Sequence, residues 1–439
     1  MNKLLIYTLS LFVFFFSGCK EKADPAAVEK FCSNQLPQWN SKLTQVIISD
    51  IFTPPVCSRI YAYTNIAAYE ALRPGYKNYP SYAGTLNELQ QLPLPKQGIA
   101  YCYPVSSVIA FTTVAQNLVF NSDAIKEMEK VFFRQLDSIN MSKEWLDSSI
   151  SYGRAVGNHI IEWAAKDGYL QRNSLPAYIV TKEPGRWQPT PPNYTDAIET
   201  NWKMLRPLVI DSCSQFEPVP PAKYDTAKNS LFYKQAYQVY EAVKKPNEGD
   251  SVTAWYWDDN PNTSITNGHI TYFQQKNSPP GHWIHIACSV AQKEKYDEMK
   301  TASLISKTAI ALYDAFISCW DAKYTYNYIR PETFINKYID KDWEPLIQTP
   351  PFPEYPSAHS VASSSAATVL TKIVGDNYMF VDSAEVPFGR EARTFSSFYE
   401  AADQACISRL YGGIHFLPAI KNGKEEGRKL GSFIMSKIK

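Results

Sequence analysis

Residues 356–374 read PSAHSVASSSAATVLTKIV. Ala, Ser and Thr fill most of the run, so a helix here can approach its neighbours closely. Pro356-Ser357 marks its start, with a hydroxyl to cap the first turn. Free N–H groups and the positive dipole end favour an anion at Ser357 and Ala358. His359 stands in the first turn, beside that position. Taken alone, such a run is an ordinary capped helix with a surface histidine.

Two flanking segments carry equally unusual residues. Upstream, Trp320-Asp-Ala-Lys323 leads to Arg330-Pro331. On one helix Lys323 and Arg330 would be two turns apart, ~10.5 Å along the axis, with only ~20° of angular drift. Trp320 is one turn before Lys323, and Pro331 is expected to end the helix. Two cations at that spacing usually belong to a solvated face. Downstream, Ser408-Arg409 is followed by Gly412-Gly413, His415 and Pro418. A helix from about Ser397 should break at the glycine pair, which re-aims His415, and Pro418 should open a last helix. By itself, His415 would be a core histidine.

The chain around these segments reads as helix. Apolar spacings of three and four predict helices over 31–51, 59–72 and 105–120. Asn121-Ser122-Asp123 caps 124–139, and Ser142 opens a helix to about 168. Further helices are expected over 223–243, 283–299 and 302–330. Residues 173–224 are rich in Pro and Trp and read as a long ordered loop, because Trp187, Trp202 and Leu205 are costly to leave in water. Strand-like alternation is nearly absent and no 20–50-residue repeat is found. The fold class is all-α. The expected organisation is a leader (1–19), a tether (20–30), an N-terminal helical region (31–300) and a C-terminal helical region (301–439), the last two packed as one unit.

The 439 residues are 45% hydrophobic and 20% charged, a globular composition. Lys and Arg total 44 against 43 Asp and Glu. That balance gives no electrostatic footprint for nucleic acid. The eight cysteines include no CxxC pair. Leu4 to Gly18 is uncharged, and its 15 residues span about 22 Å, short of the ~30 Å hydrocarbon core. A signal peptide is the expectation. The small residues before Cys19 resemble a bacterial lipobox, which makes Cys19 the lipidated residue and limits membrane contact to a lipid anchor in the cell envelope.

Together the ordered triplet K-x6-R-P, P-S-x-H and S-R-x5-H resembles the superfamily of type 2 phosphatidic acid phosphatases and vanadium-dependent haloperoxidases. The membrane phosphatases need several spanning helices, and the soluble acid phosphatases are much shorter. The long, exported, all-α form looks like a haloperoxidase. W-x-x-K at Trp320–Lys323 and Phe352, five before Ser357, agree with that branch. Segments 54–70, 186–194 and 279–287 are also similar to bacterial members.

The resemblance implies a vanadate cofactor with His415 as its single protein ligand. It implies that Lys323, Arg330, Ser357, Ala358 and Arg409 bind the oxygens, that His359 acts as acid/base, and that Lys323 polarises bound peroxide for attack by halide. Trp320 and Phe352 would shape the halide pocket, and iodide or bromide is the expected halide. A phosphatase would instead use His415 as nucleophile on a phosphate ester, with His359 protonating the leaving alcohol. A third alternative is an inactive anion-binding lipoprotein.

Two departures from the family pattern bear on these alternatives. Ala358 replaces the usual Gly but keeps its N–H. Ala419 replaces the acidic residue that usually orients the last histidine, a supporting role worth ~10–100-fold in such sites. A carbonyl or a carboxylate from elsewhere has to substitute, or vanadate binding is weak. His159, His269, His282 and His285 are expected in core or rim roles, with no carboxylate or Cys near enough in sequence to His282 and His285 to suggest zinc.

Overall fold

The computed structural model describes residues 28, 31–32, 35–139, 141–261 and 263–438. The expected leader, Cys19 and all of the tether but Val28 lie outside the described residues. Among the described residues are thirteen α-helices and two small two-stranded antiparallel sheets, so the chain is all-α in substance.

In chain order the helices are α1 (Gln35–Ser49), α2 (Pro54–Leu72), α3 (Tyr103–Leu118), α4 (Ser122–Ser138), α5 (Lys143–Ala164), α6 (Leu231–Lys244) and α7 (Asp250–Tyr256). The hairpin β1 (Ser264–Asn267) and β2 (Ile270–Phe273) follows. Then come α8 (Pro279–Lys293), α9 (Glu298–Tyr326), α10 (Pro331–Tyr338) and α11 (Ala358–Val374). The second sheet pairs β3 (Phe380–Asp382) with β4 (Arg393–Phe395). The chain closes with α12 (Phe398–Tyr411) and α13 (Leu417–Lys437).

Helix α9 is the axis of the molecule. It is long and apolar enough to cross a bilayer by length and composition, yet its apolar window is wholly buried inside the protein. It packs against α2 and α8 on the N-terminal side and against α11 and α13 on the C-terminal side. Every residue of α2 is buried. On the far side, Gly423, Gly427 and Gly431 of α13 form a stripe four residues apart that lies against α11. A Cβ on Gly427 would stand 2.2 Å from the Val361 carbonyl oxygen. The Ser- and Ala-rich run and the glycine stripe are thus two halves of one close helix crossing.

Several boundaries differ from expectation. Pro54-Pro55 lies in the first turn of α2 rather than in a break before it. Helix α8 ends at Lys293, and Met299 belongs to α9, which Asp297 caps. The predicted 223–243 helix begins only at Leu231, after the Ser230 cap. Helix α9 ends at Tyr326, because Asn327 takes a left-handed conformation with φ 45°.

The Pro- and Trp-rich loop packs its aromatic side chains against the helices. Trp187 and Trp202 are fully buried. Asp314 of α9 accepts the N–H groups of Leu208, Val209 and Ile210 at 2.7–3.1 Å. Trp187 N–H donates to the Asn327 carbonyl at 3.0 Å.

Candidate active site

The three segments singled out in the sequence converge beside the C-terminal half of α9. One cavity is lined by Trp320, Phe352, Ala358, His359, Ile414 and His415, with Asp259 and Asn260 on its wall. Lys323, Arg330 and Arg409 stand behind this lining and are buried.

Lys323 projects from the last turns of α9. Its ammonium donates to three carbonyls, those of Pro353 (2.9 Å), Glu354 (3.0 Å) and Pro356 (2.6 Å). It therefore fastens the loop that leads into α11. Burial lowers its pKa to about 7. Arg330 is not on the same helix, contrary to expectation. It is the N-cap residue of α10, four residues beyond Tyr326, because Asn327 turns the chain and Pro331 disfavours helical backbone before it. The two cations still converge, through a turn rather than a helix face. Arg330 donates to the Phe352 carbonyl (Nε, 2.9 Å) and the Ile414 carbonyl (2.9 Å), and its guanidinium lies 3.2 Å from His415 Nε2. Burial brings its pKa down to about 10.

Ser357 caps α11, its hydroxyl accepting from Ser360 N–H at 3.4 Å. Its own N–H donates to the Ala419 carbonyl at 3.2 Å. The position that lacks the expected acid thus serves through its backbone. The break at Gly412-Gly413 is present, with Gly413 at φ +80°. It delivers His415 to the cavity just before α13 begins.

His415 is oriented by Glu354. Glu354 Oε1 accepts His415 Nδ1–H at 2.8 Å and the Phe416 N–H at 2.9 Å. With the proton on Nδ1, the Nε2 lone pair faces Arg330. Burial, then Arg330, Lys323, Arg409 and His359, hold the His415 pKa well below the usual histidine value. The ring is a neutral ligand. Burial pushes Glu354 up to about 7, opposed by Arg330, the Phe416 N–H and Lys323. The missing acid at Ala419 is therefore supplied from Glu354, inside the segment FPEYPSAH itself. The sequence motifs assign this residue no role.

His359 is also held neutral. Burial, Arg409 and His282 lower its pKa, while a hydrogen bond to the Trp257 backbone raises it somewhat. Its Nε2 has no partner. Arg409 donates to the carbonyls of Trp257 (2.7 Å) and Ala254 (3.3 Å). Trp320 and Phe352 are packed at 5.0 Å between ring centroids, and Trp320 Nε1–H is buried with no acceptor. Phe352 also faces the Lys323 and Arg330 cations, each 5.0 Å from its centroid.

This donor set fits an oxyanion. Three buried cations and a helix N-terminus surround two neutral imidazoles, and Glu354 is the one carboxylate bonded to either ring. Buried positive charge in such excess calls for an anionic partner.

Sequence reasoning missed a second group beside the cavity. His282 of α8 is enclosed between carboxylates of Asp259 and Asp382. These come from positions 23 and 100 residues away, which is why the local sequence showed none near it.

Comparison with known proteins follows the same lines. A family model described as the VCPO second helical-bundle domain matches residues 303–439. The crystal structure of a bacterial vanadium-dependent iodoperoxidase is similar over 92% of this chain and 96% of its own, at 42% identity and a TM-score of 0.87. A holo-type bacterial vanadium-dependent chloroperoxidase shares the fold, with TM-score 0.66 at 14% identity over 89% of this chain and 93% of that one. No curated protein sequence matches significantly.

Proposed function

The chain belongs to the vanadium-dependent haloperoxidases, and from that family and its own site we propose that it oxidises halide with hydrogen peroxide to hypohalous acid, with vanadate as cofactor. Iodide or bromide is the halide of the reading, iodide being the easier to oxidise. The observation that carries it is His415, fixed by Glu354 through Nδ1 and presenting its Nε2 to the Arg330 guanidinium at 3.2 Å.

Vanadate, when bound, supplies a Lewis acid that activates peroxide. His415 would hold it. Arg330, Arg409, the Ser357 hydroxyl and the Ala358 N–H would hydrogen-bond its oxygens, and Lys323, whose three donors are held by carbonyls, would contribute charge. An anion beside Lys323 counters the burial that lowers its pKa and keeps it charged. His359 lines the cavity, is neutral and has an unpartnered Nε2, so it would take a proton from peroxide at that atom and give it up again. Trp320 offers its unpartnered Nε1–H to the halide, and Phe352 keeps that side dry.

The comparisons do not favour a phosphatase working through a phosphohistidine. Glu354 removes the reason, drawn from Ala419, to read an inactive anion-binding protein.

Export through residues 1–19 and lipid anchoring at Cys19 in a bacterial envelope complete the reading. The uncharged run 4–18 and the small residues before Cys19 support it. Labelling with a tagged fatty acid, abolished by Cys19→Ala, checks the anchor.

The activity is tested by loading the chain from Lys20 onward with orthovanadate. Iodide, bromide and chloride oxidation by peroxide are then followed, with phosphate-ester hydrolysis measured in parallel. Vanadate-dependent oxidation of iodide or bromide is expected. Ester hydrolysis without oxidation would overturn the reading.

A further inference from the structure

One buried polar cluster has no part in the chemistry above. His282 is fully enclosed. Both oxygens of Asp259 face its Nδ1, at 3.2 and 3.1 Å, and Asp382 Oδ2 lies 2.8 Å from its Nε2. Glu385 Oε1 stands 3.7 Å from Nδ1. A ring with carboxylates on both nitrogens donates from both, so it is an imidazolium. Burial opposes that charge, but Asp382 and Asp259 prevail and raise the pKa well above the usual value. Glu385, pushed up to about 8 by burial and then by Asp259, stays protonated near neutral pH and limits the excess negative charge.

The cluster grips one segment at two points. Trp257 stacks on the His282 ring, with centroids 4.4 Å apart and planes at 16°. Two residues on, Asp259 is ion-paired to the same ring. Residues 257–260 also build the active site. The Trp257 carbonyl accepts from Arg409 at 2.7 Å. Asp259 and Asn260 line the cavity alongside His359 and His415.

We infer that His282 is a positioning residue for this reaction: clamped between Asp259 and Asp382, it fixes the segment 257–260, whose Trp257 carbonyl holds Arg409 and whose Asp259 and Asn260 wall the cavity beside His359. The inference rests on the halide-oxidation reading and extends it to a residue outside the cavity. Its positive charge also bears on His359, helping to keep that ring neutral. Asp259, His282 and Glu385 converge closely enough to hold a metal ion.

The groups facing His282 are Asp259, Trp257 and Tyr256 from α7 and the segment after it, and Asp382 and Glu385 from β3 and the turn beyond. His285 on its own helix feels its charge. The test therefore uses His282→Gln, His282→Asn and Asp382→Asn, each with its Tm. In the vanadate-loaded enzyme, kcat should fall roughly 10- to 100-fold in His282→Gln, with halide KM nearly unchanged. His282→Asn, whose amide can still reach Asp259, should retain more activity.

The second readout needs neither cofactor nor turnover. Imidazole 15N NMR of the vanadate-free protein should show the His359 titration midpoint rising when the His282 charge is removed. A merely structural residue would lower Tm and leave that midpoint in place. If His282→Gln fails to fold, His282→Asn, which also removes the charge, carries the same test. A folded variant with wild-type kcat and an unmoved His359 midpoint would overturn the inference. So would a stoichiometric metal ion in the wild type that the variants lose. An inactive wild type would refute the halide reading alone, since the NMR arm still judges the clamp.

Discussion

Glu354 Oε1 lies 2.8 Å from His415 Nδ1 and takes the Phe416 N–H as well, while Oε2 has no partner. Two donors on one oxygen lock the carboxyl, and the carboxyl locks the imidazole. Glu354→Gln keeps the shape but replaces the anionic acceptor with a neutral one. It should weaken vanadate binding and lower halide oxidation by about 10- to 100-fold, as supporting groups of metal ligands generally do. Equilibrium vanadate binding and steady-state kinetics on the folded variant check this.

Ala419→Asp, which restores the family's usual acid, should not improve the enzyme. Ala419 is buried, and its carbonyl holds Ser357 N–H at 3.2 Å. A second carboxylate there would sit in an apolar cluster with Phe416, Ile420 and Tyr355, where charge is costly. Lower Tm with no gain in activity is the expected outcome, and a gain in vanadate affinity would mean that Glu354 is not the orienting acid.

Trp320→Phe separates the halide from the fold. The indole N–H is buried without an acceptor, a cost of about 1–3 kcal/mol that the substitution removes, against the cavity it opens. Tm should change little. Losing a donor to halide should raise halide KM roughly 5- to 10-fold, with vanadate affinity preserved. An unchanged KM would place the halide elsewhere.

Glu426 gives a pH-dependent stability test. It is buried in α13, with Ser318 hydroxyl on Oε1 at 2.8 Å and no partner for Oε2. Burial pushes its pKa up to about 8 from the usual carboxylate value of 4.5. Between those values the folded state holds a proton that the unfolded state has released, so Glu426 lowers stability progressively as pH rises through that window. Glu426→Gln removes this loss. Thermal melts should show the variant gaining on wild type between pH 5 and 8, and a constant difference would contradict the shift.

Gly427→Ala tests the helix crossing that seats Ser357. Its Cβ would meet the Val361 carbonyl oxygen at 2.2 Å, a backbone atom that cannot step aside. A loss of about 1–3 kcal/mol or more is expected, read by denaturant unfolding.

How much of this was legible in the sequence differs from residue to residue. The capped helix at Ser357 and the break at Gly412-Gly413 followed from capping and turn chemistry, whereas the meeting of His359, His415, Lys323, Arg330 and Arg409 was implied by the resemblance of the ordered triplet to the haloperoxidases. The two-turn helix joining Lys323 to Arg330 did not survive, because one left-handed Asn327 ends α9 early and no propensity rule foretells that choice. Glu354 was in plain view, but its partner lies 61 residues away, and only a folded loop brings them together. The His282 cluster was hidden for the same reason. Its carboxylates come from the WYWDDN segment and from β3, beyond any local pattern.

The most direct measurement titrates orthovanadate into cofactor-free protein and follows peroxide-driven iodide oxidation in the same samples, for wild type and His415→Ala. Activity should rise from near zero to a plateau at one vanadate per chain and be absent in the variant, whose Tm should remain close to wild type. Saturating vanadate binding without iodide or bromide oxidation, or oxidation that persists in His415→Ala, would contradict the assignment of this site.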